Sequence, residues 1–246
     1  MKDVLLTLSY SRMDTYKKCP RKYYYRYITK LPTKEWDHFS LGTLVHGALE
    51  HFHEEFKTDN SNTNLKSLMK NSFKNQRSEM EKKASLKPEV LQEAYGILQN
   101  YLDLMKNKGI GSKIISLEQE FNIPLNDKFS IMGFIDRLDM DDDGIYHIKD
   151  YKTTKSVNYM TPEQLLTYGI YLLDKFPDIK NFRGSYIMLK CDLRNLSYDF
   201  NIEDIEKEKK ILIDCAEKIT TEERWITRPT RLCDWCDFKD TCLNSW

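Results

Sequence analysis

Residues 129–154 read FSIMGFIDRLDMDDDGIYHIKDYKTT. Two runs rich in apolar and β-branched residues, Phe129 to Met140 and Ile145 to Thr153, flank the turn Asp141-Asp142-Asp143-Gly144. That pattern predicts two antiparallel strands joined by a tight turn. Just upstream, Lys113 to Leu125 reads as another strand, which the turn Asn126-Asp127-Lys128 joins to the first pair as a meander. Side chains alternate along a strand, so Asp150 and Lys152 share a face, and Asp136 approaches Asp150 across the pair. Two carboxylates brought together repel one another unless a cation separates them. Oxygen ligands suit Mg²⁺ or Mn²⁺. Such a cation lowers the pKa of a bound water and polarises a phosphodiester, and a neighbouring lysine orients the water and stabilises charge on phosphorus. The same three residues also fit a solvated surface hairpin, so the wider sequence has to decide.

Outward from the meander, the chain is helical on its N-terminal side. A capping-box-like pattern at Ser11 and Asp14 opens a helix to about Ile28, interrupted or bent at Pro20. A loop from Pro32 to Ser40 follows, then helices over Leu41–Phe56, about Asn64–Lys83 and Pro88–Lys106, ended by Asn107, Gly109 and Gly111. Beyond the meander, Pro162 opens a helix to about Leu173. Phe182–Cys191 and Leu196–Asn201 read as strands, Glu203–Ile219 as a charged helix, and Trp225–Trp246 as an irregular tail. This order predicts an α/β or α+β domain with a mixed sheet. The expected organisation is one domain: a helical segment over about 1–110, a sheet core over about 111–201, and a helix and tail over about 202–246.

The 246 residues suffice for one sizeable core, and 40% hydrophobic with 31% charged residues fits a soluble globular protein. No apolar run approaches the roughly 18 residues that a membrane helix needs. The start, MKDVLLTLSYSR, carries Asp3 and too short an apolar stretch for a secretion signal, so an intracellular, cytoplasmic location is expected. A net charge of zero argues against a protein that coats nucleic acid by charge alone. The charge is unevenly spread, however. Arg12, Lys17, Lys18, Arg21, Lys22, Arg26 and Lys30 fall in one segment with Tyr16, Tyr23, Tyr24, Tyr25 and Tyr27. Basic groups neutralise phosphates and rings stack on unpaired bases, but an amphipathic helix with its tyrosines packed inward fits equally.

The six cysteines include a compact trio, Cys233, Cys236 and Cys242. In an intracellular protein these are thiols or metal ligands rather than disulfides. Thiolates accommodate Zn²⁺ or an iron–sulfur cluster, and the spacing departs from the usual paired Cys-x-x-Cys zinc arrangement. Cys191 and Cys215 fall in a predicted strand and helix and read as buried thiols.

Gly133-x-x-Asp136 followed by Asp150-x-Lys152 resembles the core motif of the PD-(D/E)XK nucleases. Gly42-Thr43-Leu44-Val45-His46 resembles a helical motif of their RecB-like branch, and Gln164-x-x-x-Tyr168 the motif that follows the catalytic lysine. Leu8-Ser9-Tyr10-Ser11 through Cys19-Pro20-Arg21-Lys22-Tyr23-Tyr24 resembles the N-terminal helix of that branch's iron–sulfur members, such as AddB-type nucleases and the CRISPR-associated four-cysteine nucleases. The resemblance implies a restriction-endonuclease-like core and a metal-dependent DNA exonuclease that prefers single strands. It also implies roles in recombination, repair, viral DNA processing or CRISPR spacer acquisition. By the same resemblance, His46, Asp136, Asp150 and the backbone carbonyl of Tyr151 hold Mg²⁺ or Mn²⁺, and Lys152 positions the attacking water. Gln164 and Tyr168 contact DNA or orient the lysine, and Cys19, Cys233, Cys236 and Cys242 hold a 4Fe–4S cluster that ties the N-terminal helix to the tail. In this context the basic, tyrosine-rich helix is expected to touch DNA, and a homo-oligomer or partner nuclease and integrase proteins fit the branch. Glu50, one turn beyond His46, is placed to assist it, His51 and His53 are expected on other faces, and Glu118 and Glu120 are extra acidic groups usually solvated at such positions. The chain carries no Walker phosphate loop, so no helicase motor is expected within it. A non-catalytic DNA-binding subunit with a retained fold is the alternative, against which the intact His46, Asp136, Asp150 and Lys152 argue.

Overall fold

A computed structural model describes residues 5–33, 37–58, 64–108, 113–158 and 160–242. The strands are β1 (Leu6–Leu8), β2 (Lys113–Pro124), β3 (Phe129–Met140), β4 (Tyr146–Lys152), β5 (Asn181–Met188) and β6 (Arg194–Asn201). The helices are α1 (Tyr10–Lys18), α2 (Pro20–Tyr23), α3 (Asp37–Thr58), α4 (Leu65–Glu81), α5 (Pro88–Lys108), α6 (Glu163–Lys175) and α7 (Ile202–Thr220). The strands form a mixed sheet flanked by helices, as the sequence predicts. None of the described helices is long and apolar enough to cross a membrane. The expected glycine stop at Gly109 and Gly111 lies outside the described residues. The chain divides into two compact units: Met1–Glu35 with Phe121–Gly133 and Glu203–Trp246, and Trp36–Glu120 with Phe134–Ile202.

In the first unit, β1 runs parallel to the start of β3, with Leu6 opposite Phe129 and Leu8 opposite Ile131, and Ser130 Oγ donates to Thr7 Oγ1 at 2.8 Å. Sequence reading gives no strand here, because three residues carry no readable period. The helix cap also differs from expectation. Ser9, not Ser11, accepts the Arg12 N–H, so α1 opens at Tyr10. At Pro20 the helix is interrupted, one of the two outcomes expected there. Proline disfavours helical geometry in the residue before it, and Cys19 is extended (φ −159°, ψ 104°) between α1 and α2. A single π-type turn, Tyr24–Ile28, then closes the segment.

The tyrosines of this segment pack against the tail. Tyr23 is buried and stacks on Trp225 with centroids 5.9 Å apart and planes 1° from parallel. Tyr16 and Tyr24 flank the same indole, and Tyr25 meets Phe238 at 5.6 Å. Of the two readings of this helix, the packed one describes its rings, while Lys17, Lys18 and Lys30 are exposed. Trp225 holds a left-handed backbone (φ 45°), which costs an L-residue about 1 to 2 kcal/mol that the ring packing offsets.

The second unit is built on β4. Its backbone pairs antiparallel with β3 and parallel with β5, and β5 pairs antiparallel with β6. The parallel pair is connected through α6. Gly184 on β5 lets that helix lie close, since a Cβ there would stand 3.0 Å from Leu165 Cβ and 3.1 Å from Phe200 Cε2. On α3, Leu41, Leu44, Val45, Ala48, Leu49 and Phe52 recur at helical spacing and pack with Met69 of α4 and Ala94, Leu98 and Leu102 of α5. Burying each large side chain contributes about 1.5 to 3 kcal/mol.

One face of β3 and β4 meets this helical layer through polar groups. Arg137 donates to both oxygens of Asp139 at 2.7 Å, and Lys149 Nζ donates to Asp139 Oδ2 at 2.6 Å. The Arg137 guanidinium also reaches His53 Nε2 at 3.2 Å, and His53 Nε2 lies 2.9 Å from Tyr101 Oη and 3.3 Å from Tyr151 Oη. His53 thus corrects the expectation that it lies on another face. Seven residues are two helical turns, so it shares the buried stripe of His46. Burial and the Arg137 charge hold its pKa well below the ordinary value, so it is neutral. Burial pushes the Asp139 pKa up, but Arg137 and Lys149 outweigh it and hold the carboxyl below its ordinary range. A depressed carboxyl pKa contributes stability that is present above the unfolded value near 3.8 and lost as pH falls through the folded value. Thermal melts across pH should therefore show Asp139→Asn losing about 3 to 5 kcal/mol near pH 7 and a flatter acid limb below about pH 4. A variant as stable as wild type at pH 7, with the same acid limb, would contradict this network.

Candidate active site

The β3–β4 ladder runs from Met140↔Tyr146 to Arg137↔Lys149. Past that point a side chain takes over from the backbone: Asp136 Oδ2 accepts the Tyr151 N–H at 2.7 Å. Asp136 thereby stands at an opening fork, its side chain 11% exposed. His46 of α3 points Nδ1 at the same oxygen, 3.5 Å away. Glu118 of β2 completes the group, and one ligand atom from each of His46, Glu118 and Asp136 lies within 4.8 Å of the others. Sequence reading treats Glu118 as a solvated acid. It is half-buried here, and its left-handed backbone (φ 42°) within an otherwise extended strand re-aims the side chain. Such a conformation costs about 1 to 3 kcal/mol and persists where surrounding structure enforces it. Glu120 is exposed, in keeping with the solvated expectation.

Asp150 and Lys152 share the face that alternation predicts. Lys152 Nζ stands 2.7 Å from Asp150 Oδ2 and 5.2 Å from the centroid of the Tyr186 ring. Two residues of α6 one turn apart, Gln164 and Tyr168, close over the pair. Gln164 Nε2 donates to Asp150 Oδ1 at 3.1 Å and to Tyr168 Oη at 2.7 Å, and Tyr168 Oη donates to Asp150 Oδ1 at 3.4 Å. Lys152 Nζ in turn donates to Gln164 Oε1 at 3.0 Å. Asp150 Oδ1 is thus fully engaged, and the buried Oδ2 is paired with the Lys152 ammonium. Asp150 stands outside the His46–Glu118–Asp136 group, and Tyr151 presents its N–H to Asp136 while its ring enters the buried network.

The electrostatics follow from crowding. Burial alone would lower the His46 pKa, but the Asp136 carboxylate reverses this and raises it to about 9. Burial, then repulsion from Asp136, lifts Glu118 to about 7, and Glu50 adds to that repulsion. Burial lifts the Asp150 carboxyl as well, with Lys152 opposing and Asp136 reinforcing. Carboxyls with raised pKa values, beside a histidine whose proton the Asp136 carboxylate holds, form a site short of positive charge. A hard divalent cation fits that donor set.

In the first unit, Cys19, Cys233, Cys236 and Cys242 line one pocket together with Arg21, Lys22, Arg228 and Lys239. The extended Cys19 before Pro20 and the short 3₁₀ turn Arg231–Trp235 supply the backbone geometry, and the Thr230 N–H donates to Cys233 Sγ at 3.4 Å. Among the described residues, no three of these sulfurs lie within 4.8 Å of one another. A tetrahedral zinc site with Zn–S bonds near 2.3 Å would hold its sulfurs about 3.8 Å apart. Of the cationic side chains at the pocket's rim, Lys239 is ion-paired with Asp234 at 2.6 Å. Cys191 and Cys215 are elsewhere: Cys191 Sγ donates to the Thr154 carbonyl, and Cys215 is buried on α7.

Comparison with solved structures finds a candidate exonuclease from Eubacterium rectale at 10% identity and a TM-score of 0.57, covering 96% of this chain and 87% of that one. It also finds SSO0001 at 14% identity and a TM-score of 0.44, covering 100% and 89%. No curated protein matches. The family model for the PD-(D/E)XK nuclease superfamily matches residues 7–243, and the chain belongs to that superfamily.

Proposed function

We propose that this chain is a metal-dependent DNA exonuclease that hydrolyses phosphodiester bonds at DNA ends and prefers single strands. The observation that carries the reading is the convergence of His46, Glu118 and Asp136 beside the buried Asp150–Lys152 pair. Membership of a nuclease superfamily and the fold shared with a candidate exonuclease support it. His46, Glu118, Asp136 and Asp150 would hold Mg²⁺ or Mn²⁺, with the Tyr151 carbonyl as a further oxygen. When bound, the ion lowers the pKa of an attacking water and polarises the phosphodiester. Lys152 places a positive charge where the phosphoryl oxygens gather negative charge. Gln164 and Tyr168 fix the lysine and Asp150, so that the ammonium is already oriented when substrate arrives. The tyrosine-rich helix presents exposed Lys17, Lys18 and Lys30 as phosphate contacts, while its rings serve packing.

The cysteine pocket is part of the same proposal. Cys19, Cys233, Cys236 and Cys242 would hold a 4Fe–4S cluster, with Arg21, Lys22 and Arg228 balancing its negative charge and the Thr230 N–H bonding a ligand sulfur.

Mn²⁺-dependent digestion of end-labelled single- and double-stranded DNA should show wild-type cleavage from ends, faster on single strands. Asp150→Ala and Lys152→Ala should each lose at least about a hundredfold in kcat. Absence of wild-type cutting, or equal cutting by the variants, would leave a DNA-binding subunit with a retained fold. Anaerobically purified protein should be brown and contain iron and acid-labile sulfide in equal amounts, and Cys233→Ser should lose both and melt at a lower temperature. Stoichiometric zinc without iron would remove the cluster.

A further inference from the structure

Phe134 is 48% exposed, which makes it the most exposed large hydrophobic residue described in the second unit. Its strand neighbours Ile135 and Arg137 are buried on the opposite face. Two residues along β3, on the face of Phe134, stands Asp136. A strand advances about 3.3 Å per residue, so the ring lies roughly 7 Å along the strand from the site's central carboxylate. Tyr95, the other large exposed ring of this unit, packs edge-on against Phe73 and so has a structural use. Leaving Phe134 in water forgoes the stabilisation its burial would give, and it does so at the mouth of the proposed catalytic site.

We infer that Phe134 is a base-stacking platform, which holds the unpaired nucleobase next to the phosphate that Lys152 faces. The inference rests on the nuclease reading and specifies its substrate. Stacking on an aromatic ring is tolerant of sequence, because every base has a π-face, and an enzyme that degrades strands from their ends needs that tolerance. A base within a duplex is already stacked on both sides, whereas an unpaired end base has a face to offer. Phe134 is therefore a specificity-determining residue for single strands, acting on binding rather than on the reacting atoms.

The test compares wild type and Phe134→Ala on an end-labelled oligodeoxythymidine and on the same strand carrying one abasic residue. Cleavage is followed with Mn²⁺, and binding is followed by fluorescence anisotropy in the Lys152→Ala background. Phe134→Ala should raise KM and Kd for the intact strand by about five- to a hundredfold, with the loss falling on KM, and Phe134→Tyr should restore most of it. An abasic residue at the cleaved end should cost wild type a similar factor and cost Phe134→Ala little. Equal affinity of the two proteins for the intact strand, or an abasic penalty that is the same in both, would overturn the inference. Protein that binds with this Phe134 dependence but never cleaves would uphold stacking and sink the nuclease reading. Cleavage that ignores Phe134 would do the reverse.

Discussion

The hydrogen bond from the Tyr151 N–H to the Asp136 carboxylate is the constraint on which the site depends. A regular antiparallel ladder past Arg137↔Lys149 would satisfy that donor with a carbonyl and leave β3 and β4 flush. With the carboxylate in that role, the strands part, the backbone donor remains satisfied, and an acidic side chain is held at the opening. His46 then reaches the same oxygen from α3, and a Glu118 oxygen from β2 lies within 4.8 Å of ligand atoms of both. Asp150 and Lys152 stand on the adjacent strand at a separation that the β4 pleat fixes.

Gathering these groups is costly, and the surroundings show how the cost is met. Glu118 carries a strained backbone and a carboxyl lifted to about 7, and Asp150 is buried with its carboxyl also raised. Behind them lies a polar network, Arg137, Asp139, Lys149, His53, Tyr101 and Tyr151, in which charges are paired and the imidazole is neutral. Its members alternate with the site residues along the strands: Arg137 follows Asp136, and Tyr151 lies between Asp150 and Lys152. One face is therefore satisfied and rigid, while the other is left short of positive charge. That asymmetry suits a sheet that presents a cation site to substrate.

The hairpin was readable because its two strands and the Asp141–Gly144 turn are local, with Gly144 taking the left-handed conformation the turn requires (φ 78°). The spacings that place Asp150 with Lys152 and Gln164 with Tyr168 follow from strand and helix periods and reappear as contacts. Non-local geometry was not readable. Strand β1 is three residues long and its partner lies more than a hundred positions away in sequence, so neither period nor turn announces it. Glu118 looked solvated because alternation assumes a regular strand, and a left-handed residue breaks alternation. His53 could have been found from its seven-residue spacing to His46, together with Arg137 and Asp139 on the strand face opposite Asp136. For the tyrosines, sequence could not choose between stacking on bases and packing inward, because the partner, Trp225, lies about two hundred residues away.

Calorimetric titration of metal-free protein with Mn²⁺ tests the central claim most directly, since it asks whether the fork is a cation site without relying on turnover. Wild type should bind one or two ions with measurable heat, and His46→Ala, Glu118→Gln and Asp136→Asn should each weaken binding at least about tenfold while melting cooperatively. Indistinguishable Mn²⁺ affinity in wild type and all three variants would contradict the account.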